Sequence, residues 1–102
     1  MIRGTTPKHT FKVPFNADEA LCVRVVYRQG DTKVCKTDVD LNKSGNTVSV
    51  RLGQEDTLAF KANGDAVKAQ ISAKIKIEEE ELVAKSKVIS IKCYETLDDE
   101  VL

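Results

Sequence analysis

The chain has 102 residues, 41% of them apolar and 31% charged, with 16 basic side chains balanced by 16 acidic ones. That length allows one domain around one core, and no apolar run approaches the roughly 20 residues of a membrane helix. The opening MIRGTTPKHTFKV lacks the plan of a secretory signal, and zero net charge argues against a protein that mainly coats nucleic acid.

Residues 1–8 carry no periodic pattern and are expected to form a flexible leader. Phe11, Val13 and Phe15 then alternate with Thr10, Lys12 and Pro14, which predicts a strand. Pro14 cannot donate to a ladder, so this strand should lie at an edge or break there. Leu21, Val23, Val25 and Tyr27 alternate with Cys22, Arg24 and Arg28 in a second strand. It is closed by Arg28-Gln29-Gly30-Asp31, a turn with a glycine suited to positive φ. Thr32–Thr37 and Val39–Leu41 are weaker strand signals, followed by the turn Asn42-Lys43-Ser44-Gly45-Asn46. Val48, Val50 and Leu52 alternate with polar residues, and Gly53–Leu58 is the one connection able to form a helical turn.

The strongest signal comes after the Asn63-Gly64 turn. Val67, Ala69, Ile71, Ala73, Ile75 and Ile77 scatter around a helix at 100° per residue but fall on one face at 180°. This predicts a long, half-buried strand with Lys68, Gln70, Ser72, Lys74 and Lys76 outward. Glu78–Glu81 reads as a solvated loop, Val88–Tyr94 as a last strand, and residues 95–102 as an acidic tail. Seven short strands and no long helix make the chain all-β, a single antiparallel sandwich.

Catalytic chemistry is hard to assemble from these residues. His9 is the only histidine and reads as a solvent-facing residue at the start of an edge strand. A nucleophile would need a base that a third group orients. The three cysteines, Cys22, Cys35 and Cys93, are scattered and odd in number, which reads as small hydrophobes in or beside the core in a reducing compartment. Adjacent residues of an extended chain point to alternate sides, so Glu78–Glu81 do not converge on a cation. The five glycines are dispersed, leaving no phosphate-cradling loop. The expectation is a protein that is not an enzyme and that uses no cofactor, metal or small-molecule substrate.

Charge is informative in its distribution. Residues 1–51 hold nine basic and five acidic side chains, a net +4, and residues 52–102 hold seven and eleven, a net −4. Arg24, Arg28, Lys33 and Lys36 fall on neighbouring predicted strands and form a candidate partner surface. Val101 and Leu102, after the acidic tail, form a candidate hook for a neighbouring subunit. No aromatic interleaving accompanies these cations beyond Tyr27, so nucleic acid is not the expected partner, and with no long apolar run neither is a membrane.

Two resemblances extend this reading. Gln54-Glu55-Asp56-Thr57-Leu58-Ala59-Phe60 resembles the E–F corner of immunoglobulin-like domains. The chain has no tryptophan, so this implies an immunoglobulin-like β-sandwich and not an antibody-type domain. The opening MIRGTTPKHTFKVPF, the central GNTVSVRLGQEDTLAF and the ending KCYETLDDEVL resemble a family of small phage and prophage proteins of Gram-positive bacteria. That resemblance implies a structural or accessory protein of virion assembly whose partners are other phage structural proteins or further copies of itself. It would sit in the bacterial cytoplasm during assembly, with the virion as a further location. The alternative is a soluble adaptor acting on a host protein inside the bacterial cell.

Overall fold

A computed structural model describes residues 1–102. In chain order it contains β1 (Lys8–Lys12), β2 (Cys22–Gln29), β3 (Thr32–Thr37), β4 (Leu41–Ser44), β5 (Thr47–Arg51), α1 (Gln54–Leu58), β6 (Val67–Ile77), β7 (Glu80–Lys85) and β8 (Ile89–Ile91). Short 3-10 turns occupy Ala17–Glu19 and Asp38–Asp40. The strands form two antiparallel sheets, ordered β1-β5-β4 and β3-β2-β6-β7, with β8 also pairing with β6. No helix is long and apolar enough to cross a membrane.

β7 and β8 are one edge strand interrupted by a bulge. Ser72 faces Lys85 and Ala69 faces Ile89, so the two intervening residues of β6 oppose three on the other side. Ser86 fills the bulge: its N–H donates to the Ile71 carbonyl at 2.8 Å, and its Oγ accepts the Ile71 N–H at 3.0 Å. Counted this way, the sandwich has seven strands. β1, β5 and β4 take the places of strands B, E and D of an immunoglobulin-like fold, while β3, β2, β6 and β7–β8 take those of C′, C, F and G. α1 falls at the E–F corner, where the sequence resemblance puts it.

The core follows from the two-residue period. Val23, Val25 and Tyr27 of β2 and Val67, Ala69, Ile71 and Ala73 of β6 meet Phe11, Val48 and Val50 of the facing sheet, all buried. Leu52 and Phe60, fully buried on either side of α1, close one end. Each valine, leucine, isoleucine or phenylalanine among them contributes about 1.5–3 kcal/mol by leaving water, and the alanines less.

A five-residue helix is too short to stand alone, and α1 is held by polar contacts. The Gly53 N–H donates to Asp56 Oδ2 at 2.7 Å. Thr57, the only buried polar residue, donates its hydroxyl to the Thr5 carbonyl at 2.8 Å and accepts the Gly4 N–H at 2.9 Å.

Through these bonds the leader lies fixed against α1 and the C-terminal segment. Met1–Arg3 run parallel to Lys92–Tyr94: the terminal ammonium donates to the Lys92 carbonyl, Tyr94 N–H to Met1, and Arg3 N–H to Tyr94. The expectation of a flexible segment overlooked these partners because they lie at the far end of the chain.

The first strand lies at a sheet edge and its ladder stops at Lys12, before Pro14, as that proline requires, while Phe11, Val13 and Phe15 all face the core. Two further expectations are corrected. Val39 lies in a 3-10 turn and not in a strand, with β4 starting at Leu41. Only Glu78 and Glu79 form the loop after β6; Glu80 and Glu81 begin β7. The hairpin runs beyond the facing sheet, leaving Ile77 51% and Leu82 42% exposed and drawing the molecule out to 52 × 25 × 18 Å.

Candidate interaction surface

The outer face of the larger sheet is set by register. Arg28 of β2 lies directly opposite Lys33 of β3 on one side and Lys68 of β6 on the other. One strand-turn along, Val26 lies between Cys35 and Gln70, and beyond it Arg24 lies between Thr37 and Ser72. Lys85 of β7 faces Ser72 from the far side. All of these but Cys35 and Thr37 border, with Val88, a shallow cavity of about 360 Å³.

Five cations therefore share one concave face: Arg24, Arg28, Lys33, Lys68 and Lys85. None of them is paired with a carboxylate, the ion pairs of the molecule involving Arg3, Lys36, Lys43, Lys74 and Lys76 instead. Like charges directly opposite on neighbouring strands are destabilising, and Lys33, Arg28 and Lys68 place three in one row. Gln70 adds an amide whose Nε2 donates to the Ser86 carbonyl at 3.0 Å. Apart from Val26 and Val88 the lining offers no sizeable apolar group.

Of the residues singled out in the sequence, Arg24, Arg28 and Lys33 come together here. Lys36 does not. It faces the opposite side of β3, level with Val25, and its Nζ sits 2.8 Å from Asp56 Oδ2. Strand alternation already separates Lys36 from Lys33, so grouping them by proximity in sequence was an error. Lys68 and Lys85 were missed as members. The outward position of Lys68 is legible from its period, but only the non-local pairing of β6 with β2 brings it beside Arg28.

Val101 and Leu102 lie elsewhere, both exposed, with the Leu102 N–H donating to Gln54 Oε1 of α1 at 2.9 Å. The acidic tail is partly neutralised by the leader, where Arg3 pairs with Glu95.

The histidine and cysteine expectations change as well. His9 is half-buried, and its Nδ1 lies 2.8 Å from the Tyr27 hydroxyl. Burial, with the N-terminal ammonium, pulls its pKa below the ordinary 6.5. Burial pushes the Tyr27 pKa up, so this hydrogen bond joins a neutral phenol to a neutral imidazole. No serine, threonine or cysteine hydrogen-bonds to His9. Cys22 and Cys35 are exposed on the outer face, at positions whose neighbours across the sheet are polar or half-buried, so only the buried Cys93 matches the expected packing role. Burial pushes the Cys93 thiol up.

Asp38, on the 3-10 turn, is opposed by burial but held below the usual carboxylate range by Lys43 Nζ and the Val23 N–H, each at 2.9 Å. Compared with protein-family models, curated proteins and solved structures, the chain matches none.

Proposed function

We propose that this protein is a non-enzymatic structural or accessory component of phage or prophage particles, acting through protein–protein contacts on the outer face of its larger sheet. Two kinds of support carry the reading. The particle context rests on the resemblance of the opening, central and closing segments to small phage proteins. The contact surface rests on one observation, the unneutralised row of Lys33, Arg28 and Lys68 with Arg24 and Lys85 beside it.

Repulsion within such a row is relieved when an anionic segment docks on it, and desolvation strengthens the attraction. An acidic protein segment suits this face better than a nucleic acid, because no aromatic ring lies among the cations to stack a base.

Mass spectrometry of purified particles from a host carrying the gene tests the context: the polypeptide is expected in defined copy number, and its absence overturns the virion reading. The surface is tested by the Arg28→Glu/Lys68→Glu variant. It is expected to lower recovery in particles by about tenfold with an unchanged melting temperature. Undiminished recovery, or tight binding of the native protein to single-stranded DNA or RNA, overturns the assignment of this face to an acidic protein.

A further inference from the structure

We propose that the free edge of β7 is a self-association site, where two copies join β7 to β7 antiparallel about a two-fold axis through Val83. The edge to which β7 belongs is covered at one end only. Past β8, the chain's own Met1–Arg3 hydrogen-bonds alongside Lys92–Tyr94. At the other end nothing pairs with β7 on the side away from β6.

The direction of the free groups follows from the hairpin. Glu78 and Glu79 form a two-residue turn, so Ile77 and Glu80 flank it as a hydrogen-bonded pair. Alternation then turns the N–H and C=O of Glu80, Leu82 and Ala84 toward β6, and those of Glu81, Val83 and Lys85 toward solvent. An unpaired row of this kind is a template for another strand.

The sequence of β7 is complementary to itself in one register. With Val83 facing Val83, Glu81 of each copy faces Lys85 of the other, and Leu82 faces Ala84. All three outward-facing residues then lie in hydrogen-bonded positions, giving up to about six backbone bonds across the junction. The axis stands perpendicular to the sheet, so each face continues as itself. Glu81 and Lys85 stay on the outer face, and the exposed Leu82 and half-buried Ala84 meet on the inner one.

No other border strand offers this. β1 (KHTFK), β3 (TKVCKT) and β4 (LNKS) carry only basic charged residues, so self-pairing brings no opposite charges together. β7 (EELVAK) alone carries both signs. The partner is therefore a second copy of this chain. The inference goes beyond the proposed function and shares only Lys85 with the docking face; it stands whether or not the protein belongs to a particle.

Sedimentation equilibrium at low salt, from about 10 µM to about 1 mM, is expected to show a monomer–dimer equilibrium that added salt weakens. Lys85→Glu or Glu81→Lys alone should weaken association about tenfold, since each places like charges opposite twice over. The Glu81→Lys/Lys85→Glu double variant should restore it. Val83→Pro should abolish the dimer, because it removes a central donor that serves no bond to β6, while the melting temperature stays within the range of the native protein. Arg28→Glu/Lys68→Glu should leave the dimer intact, which separates this inference from the docking face. A native protein that stays monomeric at the highest concentration, a dimer that survives Val83→Pro, or a charge exchange that fails to restore pairing overturns it.

Discussion

Tyr27 reaches across the sandwich from β2 to meet His9 on β1, and this contact ties stability to pH. The native state holds the His9 pKa below 6.5, mainly through burial, so as pH falls the unfolded chain takes up the proton first. Stability is therefore greatest above that value and declines below it, levelling once native His9 is itself protonated. A second decline sets in below the ordinary carboxyl value of 3.8, where Asp38 loses its bonds to Lys43 and Val23. Urea midpoints at stepped pH should show both limbs, with His9→Gln flattening the first and Asp38→Asn the second. Thr57 matters through its hydroxyl. Thr57→Val keeps the volume but strands the Gly4 N–H and the Thr5 carbonyl, which should cost about 2–3 kcal/mol in chemical denaturation. The sequence shows Thr57 only as part of a corner motif; that it secures the leader depends on contacts more than 50 positions apart.

Among the elements, the β6–β7 hairpin shows best what a sequence discloses and what it hides. The period of β6 is legible because burial on one face only demands it, and the Gly30 and Gly45 turns are legible because both glycines adopt a positive φ at the first turn position. β7 was hidden. Its inner face is only partly covered, so Glu80 and Glu81 meet no penalty there, and four glutamates in a row mimic a loop. The turn itself holds Glu78 and Glu79 at φ of 49° and 69°, where side chains other than glycine and asparagine are strained. Glu78→Asn/Glu79→Gly should therefore stabilise the protein by about 1–2 kcal/mol, read as a raised melting temperature with unchanged sheet content. An unaltered or lower value would mean that the acidic turn is held by the Lys76–Glu79 and Lys74–Glu81 pairs instead.

At the scale of the whole molecule, the two sheets meet through Ile71, fully buried near the middle of β6. Ile71→Ala should cost about 2–5 kcal/mol, with a urea midpoint lowered and its slope retained. The sandwich was legible because alternation on at least five segments leaves no other way to bury the apolar faces. The cationic face was legible only in part. Arg24, Arg28 and Lys33 are neighbours through one local hairpin, whereas Lys68 and Lys85 arrive by pairings that no window along the chain contains. The parallel course of Met1–Arg3 beside Lys92–Tyr94 has a mechanical consequence. If the two termini are drawn in opposite directions, the bonds from Met1, Arg3 and Tyr94 are sheared together and not unzipped in turn, so the ends of the chain form a small clamp that yields all at once under tension.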